Sequence, residues 1–281
     1  MSDLQVRVAC RQIAPVVGDL AANRGLTREA VRDAVAAGAQ LVVLPELVTS
    51  GYVFDSAEEA RACAEPADGP ALAAWSEEAA RGDAVVVGGF CELGEDGLLY
   101  NSAAVVDGTG VLGVYRKLHL WDRERLVFEP GGDSAPVLET RVGRVGVGVC
   151  YDLNFPEVAR GLALAGADVV ALPANFPGHP RPEGERPIEV TVAMATAHLN
   201  HVFVAVCDRC GDERGVDWVG GSVICDEWGW LLAGPPGDEP ALLLADCDFA
   251  RAREKAWNER NDVFGDRRPE FYTLGAPAPT T

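Results

Sequence analysis

The chain has 281 residues, 48% of them hydrophobic, and no apolar run reaches the length needed to span a membrane. Its formal net charge of −19 argues against nucleic acid or an anionic membrane surface as a partner. Eight cysteines follow an N-terminus that lacks the basic and apolar segments of a secretion signal. We therefore expect a cytoplasmic protein with free thiols.

Strands and helices alternate through the first 120 residues. Residues 4–13 alternate apolar and polar side chains, which predicts a strand. Asn23 and Thr27 are candidate N-caps for a helix that runs to Ala37. The apolar run 41–46 predicts a strand buried on both faces. Further helices are predicted at 57–65 and 70–80, and further strands at 84–90, 101–107 and 111–116.

A strand, a sharp bend and a helix are predicted around Cys150. Valine and glycine alternate over 143–149, and Pro156 fits the first turn of a helix that stops at Gly166. Because a helix N-terminus favours negative charge, a thiol at this bend is expected to have a lowered pKa and an anion site beside it. The alternative is a buried core residue, the usual state of a free cysteine.

The second half of the chain repeats the alternation of strands and helices. The predicted strands are 136–140, 143–149, 167–175, 202–207, 220–225, 230–233 and 241–247, with helices at 188–200 and Phe249–Trp257. Two similar halves favour a single domain over residues 1–281, with two mixed sheets, helices outside them and an irregular tail at about 258–281.

Three buried strands end in reactive side chains, Glu46, Lys117 and Cys150. A carboxylate in a dry pocket has a raised pKa and can serve as the base that a thiol needs. Lys117 and the backbone N–H of Tyr151 could together stabilise an oxyanion. On the residues alone, Glu46 could equally bind a neighbouring backbone N–H, and Lys117 could form an ordinary salt bridge.

The segments around these three residues resemble the signatures of the nitrilase (carbon–nitrogen hydrolase) superfamily, in the same order. They are Leu44-Pro-Glu46, Tyr115-Arg-Lys-Leu-His-Leu120 and Gly148-Val-Cys-Tyr-Asp-Leu-Asn-Phe-Pro-Glu157. The likeness continues in Leu172-Pro-Ala-Asn175, Gly221-Ser222 and Arg267-Arg-Pro-Glu-Phe-Tyr272, so it covers most of the chain.

The resemblance implies a four-layer αββα sandwich and a Glu-Lys-Cys triad that needs no metal and no cofactor. It makes Cys150 the nucleophile, Glu46 the general base and Lys117 the stabiliser of the tetrahedral intermediate. An amide would then form a thioester on Cys150, which water would hydrolyse. Many members carry a second pocket glutamate after the lysine, and Glu124 matches its motif better than Glu129 does.

The residues near the nucleophile favour a small neutral amide as substrate. The Tyr-Asp pair after Cys150 resembles the amide-cleaving branches, and the arginine that several members place near Asn154 for carboxylate-bearing amides is absent. A carboxylate would then be buried without a partner, which is costly. Arg123 or Arg209 could still reach the pocket, which leaves an ω-amide or an N-carbamoyl compound as the alternative. The candidate substrate-binding residues are Trp121, Tyr151, Asn154 and Asn175.

Other functions have weaker support. Cys207 and Cys210 have the spacing of zinc ligands, but a second pair is missing. The glycines over 143–148 do not form a nucleotide-binding fingerprint. No histidine is placed for a Cys-His hydrolase, so His119 is expected to line the pocket or to have a structural role. A nucleotide-binding module and a non-catalytic scaffold with the same fold remain the alternatives of another class.

Two further expectations follow from the resemblance. A homodimer or higher homo-oligomer is implied, with residues 255–275 contributing to its interface. Many members have an Arg-Ala-x-Glu-Asn segment where this chain has Thr196-Ala-His-Leu-Asn200, so a local ion pair of the family is in doubt here.

Overall fold

The structure, a computed structural model, describes residues 4–272. In chain order the strands are β1 (Gln5–Gln12), β2 (Leu41–Val43), β3 (Val85–Leu93), β4 (Leu99–Asp107), β5 (Gly110–Arg116), β6 (Val137–Thr140), β7 (Gly143–Val147), β8 (Val169–Pro173), β9 (Phe203–Cys207), β10 (Asp212–Glu213), β11 (Val216–Asp217), β12 (Val223–Cys225), β13 (Leu231–Ala233), β14 (Ala241–Asp248), β15 (Ala256–Asn258) and β16 (Asn261–Asp262). The α-helices are α1 (Leu20–Ala36), α2 (Ala57–Ala62), α3 (Pro70–Ala79), α4 (Pro156–Leu164), α5 (Ile188–Asn200) and α6 (Phe249–Arg253). Short 3₁₀ helices cover Asp122–Leu126, Cys150–Asn154 and Pro269–Phe271.

Two six-stranded mixed sheets form the centre of the molecule. Their strand orders are β14-β1-β2-β3-β4-β5 and β13-β12-β9-β8-β7-β6. In each sheet the three central strands run parallel, β1-β2-β3 in the first and β7-β8-β9 in the second, and the outer strands pair antiparallel. The first predicted half therefore supplies β1 to β5 of one sheet and the second half supplies the whole of the other, while β14 from the second half pairs with β1.

Both faces of each sheet are buried, which produces four layers. In β2, Leu41 and Val43 pack into the core between the sheets, whereas Val42 packs outward with Val31 of α1 and Trp75 of α3. The second sheet is covered in the same way by α4 and α5. This arrangement confirms the αββα sandwich, and it explains why β2, β8 and β9, which are buried on both faces, consist of apolar residues. Within residues 4–272, no helix is long and apolar enough to cross a membrane.

The predicted N-caps of the first helix are wrong. Helix α1 begins at Leu20, and the carboxylate of Asp19 accepts the N–H of Ala22 at 3.0 Å. Asn23 and Thr27 lie inside the helix and are buried. The Asn23 side chain instead accepts the N–H of Val16 and donates to its carbonyl. Asn23 therefore stabilises the preceding loop and does not cap the helix.

The last helix is also shorter than predicted. Helix α6 ends at Arg253, and the chain then forms the small hairpin of β15 and β16. The turn is stabilised by the side chain of Asn258, which accepts the N–H groups of Arg260 and Asn261. Residues 273–281, the end of the predicted tail and of the expected interface segment, lie outside the described residues.

Candidate active site

Glu46 follows β2 and is fully buried between the two sheets. A side chain at Gly89 on the neighbouring strand would place its Cβ 2.5 Å from the Glu46 Cα, so this close approach requires glycine. The carboxylate oxygen Oε1 accepts Lys117 Nζ at 2.6 Å and Asn101 Nδ2 at 2.7 Å. Strand packing and two side-chain donors therefore fix the position of this carboxylate.

Lys117 follows β5 and its ammonium bridges two carboxylates. Nζ lies 2.6 Å from Glu46 Oε1 and 2.7 Å from Glu124 Oε1, and all three side chains are buried. Glu124 lies in the 3₁₀ helix after Lys117, whereas Glu129 is exposed at the surface. The second carboxylate in contact with the lysine is therefore Glu124, the residue that the resemblance favoured over Glu129.

Cys150 begins a 3₁₀ helix at the end of the strand–bend segment and has a left-handed backbone, with φ 45°. Its thiol is buried and donates to the carbonyl oxygen of Asn175 at 3.6 Å. The side-chain amide of Asn175 donates to the backbone carbonyl of Glu46 at 2.9 Å. Asn175 is thus in contact with the segments of both Cys150 and Glu46.

Asp152 joins the bend at Cys150 to the segment that carries Lys117. Its Oδ2 accepts the N–H of Val149 at 3.0 Å and the hydroxyl of Tyr115 at 2.8 Å. Its Oδ1 lies 2.7 Å from Nδ1 of His119, whose ring stacks on Phe155 with centroids 3.6 Å apart. His119 therefore supports the bend structurally, in agreement with one of its two expected roles.

Burial and nearby charges shift the pKa values of the titratable side chains in this cluster. Burial raises the pKa of Glu46 to about 7, a rise that the charge of Lys117 limits and that of Glu124 increases. Burial alone would lower the pKa of Lys117, but Glu124 and Glu46 together raise it above its usual value. Lys117 is therefore a permanent cation, and Glu46 can exchange a proton near neutral pH.

The expected lowering of the thiol pKa is wrong. Burial raises the pKa of Cys150 well above its usual value, and the nearby charge of Glu46 raises it further, against a smaller opposite effect of Lys117. The cysteine lies in a short 3₁₀ helix that precedes α4, so it does not occupy the N-terminus of the longer helix. Desolvation of the thiolate then dominates over any helix dipole.

A cavity of about 170 Å³ opens at Cys150. Trp121, Tyr151 and Asn154 line it, and the rings of Trp121 and Tyr151 meet edge to face with centroids 4.8 Å apart. Arg209 does not reach this cavity, because it is buried in an ion pair with Glu213. Three of the four predicted substrate-binding residues therefore lie on the cavity wall, and Asn175 lies behind it.

Sequence reasoning missed several residues of the network. The hydroxyl of Tyr52 donates to Glu124 Oε1 at 2.5 Å, and Asn101 donates to Glu46. Glu213 accepts the backbone N–H groups of Tyr52 and Val53 at 2.8 and 2.7 Å and so fixes that loop. The position of Tyr52 only six residues after Glu46 was the one available signal, whereas Glu213 is more than 160 residues away in sequence.

The zinc alternative has no geometric support. Cys207 and Cys210 are free and buried, and no cluster of three potential ligands suited to a metal occurs in residues 4–272. In the segment 196–200, Thr196 and Leu199 stand where the resemblance expects charged side chains, and the imidazole of His198 bonds the carbonyl of Trp228 at 3.0 Å.

Comparison with known proteins identifies the family. The model of the carbon–nitrogen hydrolase family matches residues 7–256. The chain belongs to the carbon–nitrogen hydrolase family. The match extends over both sheets and over all the segments in which Glu46, Lys117 and Cys150 lie, so the resemblance to the nitrilase superfamily is confirmed and the chain is a carbon–nitrogen hydrolase.

Similar proteins include nitrilases and amidases. A nitrilase of Pyrococcus abyssi is 38% identical over 270 residues, which is 95% of this chain and 99% of that protein. An (R)-stereoselective amidase of a Pseudomonas species is 35% identical, with 94% of this chain and 92% of that protein covered. The crystal structure of an amidase from Nesterenkonia sp. superposes with a TM-score of 0.76 at 30% identity, covering 94% of each chain.

Proposed function

We propose that this carbon–nitrogen hydrolase is a thiol amidase in which Cys150, Glu46 and Lys117 form the catalytic triad. The observation that carries the proposal is the buried Glu46–Lys117–Glu124 network, in which one ammonium holds two carboxylates next to a buried thiol. Such a cluster of buried groups with strongly shifted pKa values is typical of catalytic sites.

The first half of the reaction forms a thioester. As the sulfur of Cys150 attacks the amide carbonyl, Glu46 accepts the thiol proton, and a carbon–sulfur bond forms while the carbonyl oxygen becomes an oxyanion. Lys117 and the N–H of Tyr151 stabilise that charge. The oxyanion then reforms the carbonyl, the carbon–nitrogen bond breaks, and the proton from Glu46 passes to the nitrogen, which leaves as ammonia.

The second half hydrolyses the thioester. Glu46, ionised again, accepts a proton from a water molecule as that water attacks the acyl carbon. The second tetrahedral intermediate collapses with cleavage of the carbon–sulfur bond, and the proton held by Glu46 returns to the sulfur of Cys150. Glu124 keeps the Lys117 ammonium in place through both halves. The net products are a carboxylic acid and ammonia.

For the substrate, we propose a primary amide without a charge near its carbonyl, contacted by Trp121, Tyr151 and Asn154. Within the described residues, no lysine or arginine lines the Cys150 cavity, so a substrate carboxylate would have no partner there. Variants of the Nesterenkonia amidase are described in complex with butyramide and with acrylamide, and one carries the acetamide moiety of fluoroacetamide on its active-site cysteine.

The second candidate substrate class is an N-carbamoyl compound. It is favoured by relatives described as N-carbamoylputrescine amidases, of which the Arabidopsis thaliana protein is 30% identical and the tomato protein 32% identical. Initial rates should be measured with propionamide, an ω-amide of a dicarboxylate, an N-carbamoyl amine and a nitrile. We expect propionamide to give the highest initial rate of the four. A higher rate with the nitrile would contradict the amidase assignment.

We also propose that the whole chain, residues 1–281, forms one domain that assembles as a homo-oligomer in the cytoplasm. An exposed pair of aromatic rings supports the assembly, because Trp228 and Trp257 are 37% and 42% exposed and their ring centroids lie 6.1 Å apart. His198 packs against both of these rings. Sedimentation analysis of the full chain should give at least a dimer, and a monomer at micromolar concentration would contradict this part.

A further inference from the structure

A second cavity adjoins the one at Cys150. It has a volume of about 210 Å³ and is lined largely by aromatic rings, namely those of Tyr52, Phe54, Trp121, Phe128 and Trp218. We call this cavity the aromatic lobe. Trp121 and Pro177 line both cavities, so the two share a wall and lie side by side.

The aromatic lobe borders the catalytic network directly. Glu124, which accepts the Lys117 ammonium, and Tyr52, whose hydroxyl bonds Glu124, belong to its wall. The Tyr52 hydroxyl is bonded to Glu124, so Tyr52 offers the lobe its ring and not a free donor. Because Trp121 and Pro177 border both cavities, these are the side chains that an acyl chain with its carbonyl at Cys150 would pass to reach the apolar rings of the lobe.

The rings of the lobe are held in place before any ligand binds. Tyr52 and Trp218 meet edge to face with centroids 5.4 Å apart, and Phe54 and Phe128 do so at 6.1 Å. Glu213 fixes the backbone of Tyr52 from the other side. A preformed apolar cavity does not need to reorganise on binding, which favours a flat, uncharged group.

The volume of the lobe sets the size of that group. A cavity of about 150 Å³ lined by apolar side chains is sufficient for benzene. The aromatic lobe, at about 210 Å³, exceeds this, whereas the Cys150 cavity of about 170 Å³ is needed for the reacting amide itself. A substrate as small as propionamide would leave the lobe empty.

We propose that the aromatic lobe is a specificity site that binds a phenyl-sized, uncharged group at the far end of the acyl chain. This inference rests on the proposed amidase function and names its substrate class as primary amides with an arylalkyl acyl group. Among the described residues, the charged side chains on the wall besides Glu124, whose charge is paired with Lys117, are Asp122 and Arg123. Their charges are opposite, so the lobe has no net preference for an ion of either sign.

The kinetic test compares primary amides with and without the ring. A series of ω-phenyl amides with one to four methylenes should show an optimum, at which kcat/KM exceeds that of propionamide by about tenfold or more. Val216→Phe should fill the lobe and lower kcat/KM for the best phenyl amide at least tenfold more than for propionamide. Val111→Phe, at an exposed position of β5, is the matched control and should not change this ratio.

A direct structural test does not depend on turnover. A crystal structure of the Cys150→Ala protein with the best phenyl amide, or with 3-phenylpropionamide if no amide is hydrolysed, should show the ring between Phe128 and Trp218. A ring placed elsewhere, or an unchanged ratio in Val216→Phe, would overturn the proposal. Failure of the amidase function itself is a different result, because then propionamide and every phenyl amide would remain unhydrolysed by the wild-type protein.

Discussion

Tyr52 donates its hydroxyl to Glu124 at 2.5 Å, on the same carboxylate oxygen that accepts the ammonium of Lys117 at 2.7 Å. Burial, together with the charges of Glu124 and Glu46, raises the pKa of Tyr52 well above its usual value, so the phenol keeps its proton. Tyr52 therefore fixes Glu124, and Glu124 fixes the lysine. A residue in a loop thus contributes to the position of the proposed oxyanion stabiliser.

We expect Tyr52→Phe to lower kcat by roughly tenfold with little change in KM, because removing a hydrogen bond to a charged group costs about 1.5 to 3 kcal/mol. Steady-state kinetics with propionamide would measure this effect. Tyr100→Phe is the control, since the hydroxyl of Tyr100 bonds Asp96, far from the Cys150 cavity. Full activity of Tyr52→Phe would show that the hydrogen bond from Tyr52 is not needed to hold Glu124 in position.

Replacement of Lys117 tests the need for a compact ammonium. Lys117 Nζ is enclosed by Glu46, Glu124 and the buried cluster around them, so the larger planar guanidinium of an arginine cannot occupy the same place. We expect Lys117→Arg and Lys117→Ala each to lose about a hundredfold to a thousandfold in kcat. Lys255→Arg, at the other lysine of the chain, should be active. An active Lys117→Arg enzyme would exclude a tightly fitted ammonium.

The pH dependence of the rate separates two ways of activating the thiol. If Glu46 accepts the thiol proton during attack, kcat/KM should rise with pH and level off above about 7, where Glu46 is ionised. If the reaction needed a thiolate before attack, the rise would continue beyond pH 9, because burial raises the pKa of Cys150. We expect the first profile, measured with an uncharged amide so that the substrate does not titrate.

Glu46 should also make the protein less stable as pH rises. Its pKa is raised from 4.5 in a free chain to about 7 in the fold, so the folded state binds more protons over this range. The free energy of unfolding should therefore fall between about pH 4.5 and pH 7, by about 3 kcal/mol from this group. Glu46→Gln should lose that slope, and urea unfolding of both proteins at pH 5 and pH 8 would measure the difference. Equal slopes would contradict a raised pKa.

The alternation of strands and helices predicted two mixed sheets with helices outside them, and the resemblance to the family added the four-layer order. The reactive residues at the ends of buried strands singled out Glu46, Lys117 and Cys150. The thiol pKa could not be predicted, since it depends on how deeply the bend is buried after the sheets pack. The structural role of Asp152 could not be predicted for a similar reason. Its partners Tyr115 and His119 flank the lysine in another segment, and only the folded chain brings them together.

Long-range contacts also explain the two incorrect helix boundaries. Asn23 has the chemistry of an N-cap, but the structure uses its side chain to bond Val16 and the carbonyl of Thr49. After α6, the side chain of Lys255 donates to the carbonyl of His201 at 2.6 Å. If the helix continued to Trp257, the Lys255 side chain would point in a different direction. Local helix propensity cannot predict such partners, because they lie far away in the sequence.

The most direct test of the account is to identify the residue that carries the acyl group during turnover. Wild-type protein should be mixed with a primary amide, quenched in acid within the first turnovers and measured by intact mass, followed by peptide mapping. We predict a mass increase equal to the acyl group, located on Cys150, and neither adduct nor turnover in a folded Cys150→Ala protein. An adduct on another residue, or turnover by Cys150→Ala, would contradict the central claim that Cys150 is the nucleophile.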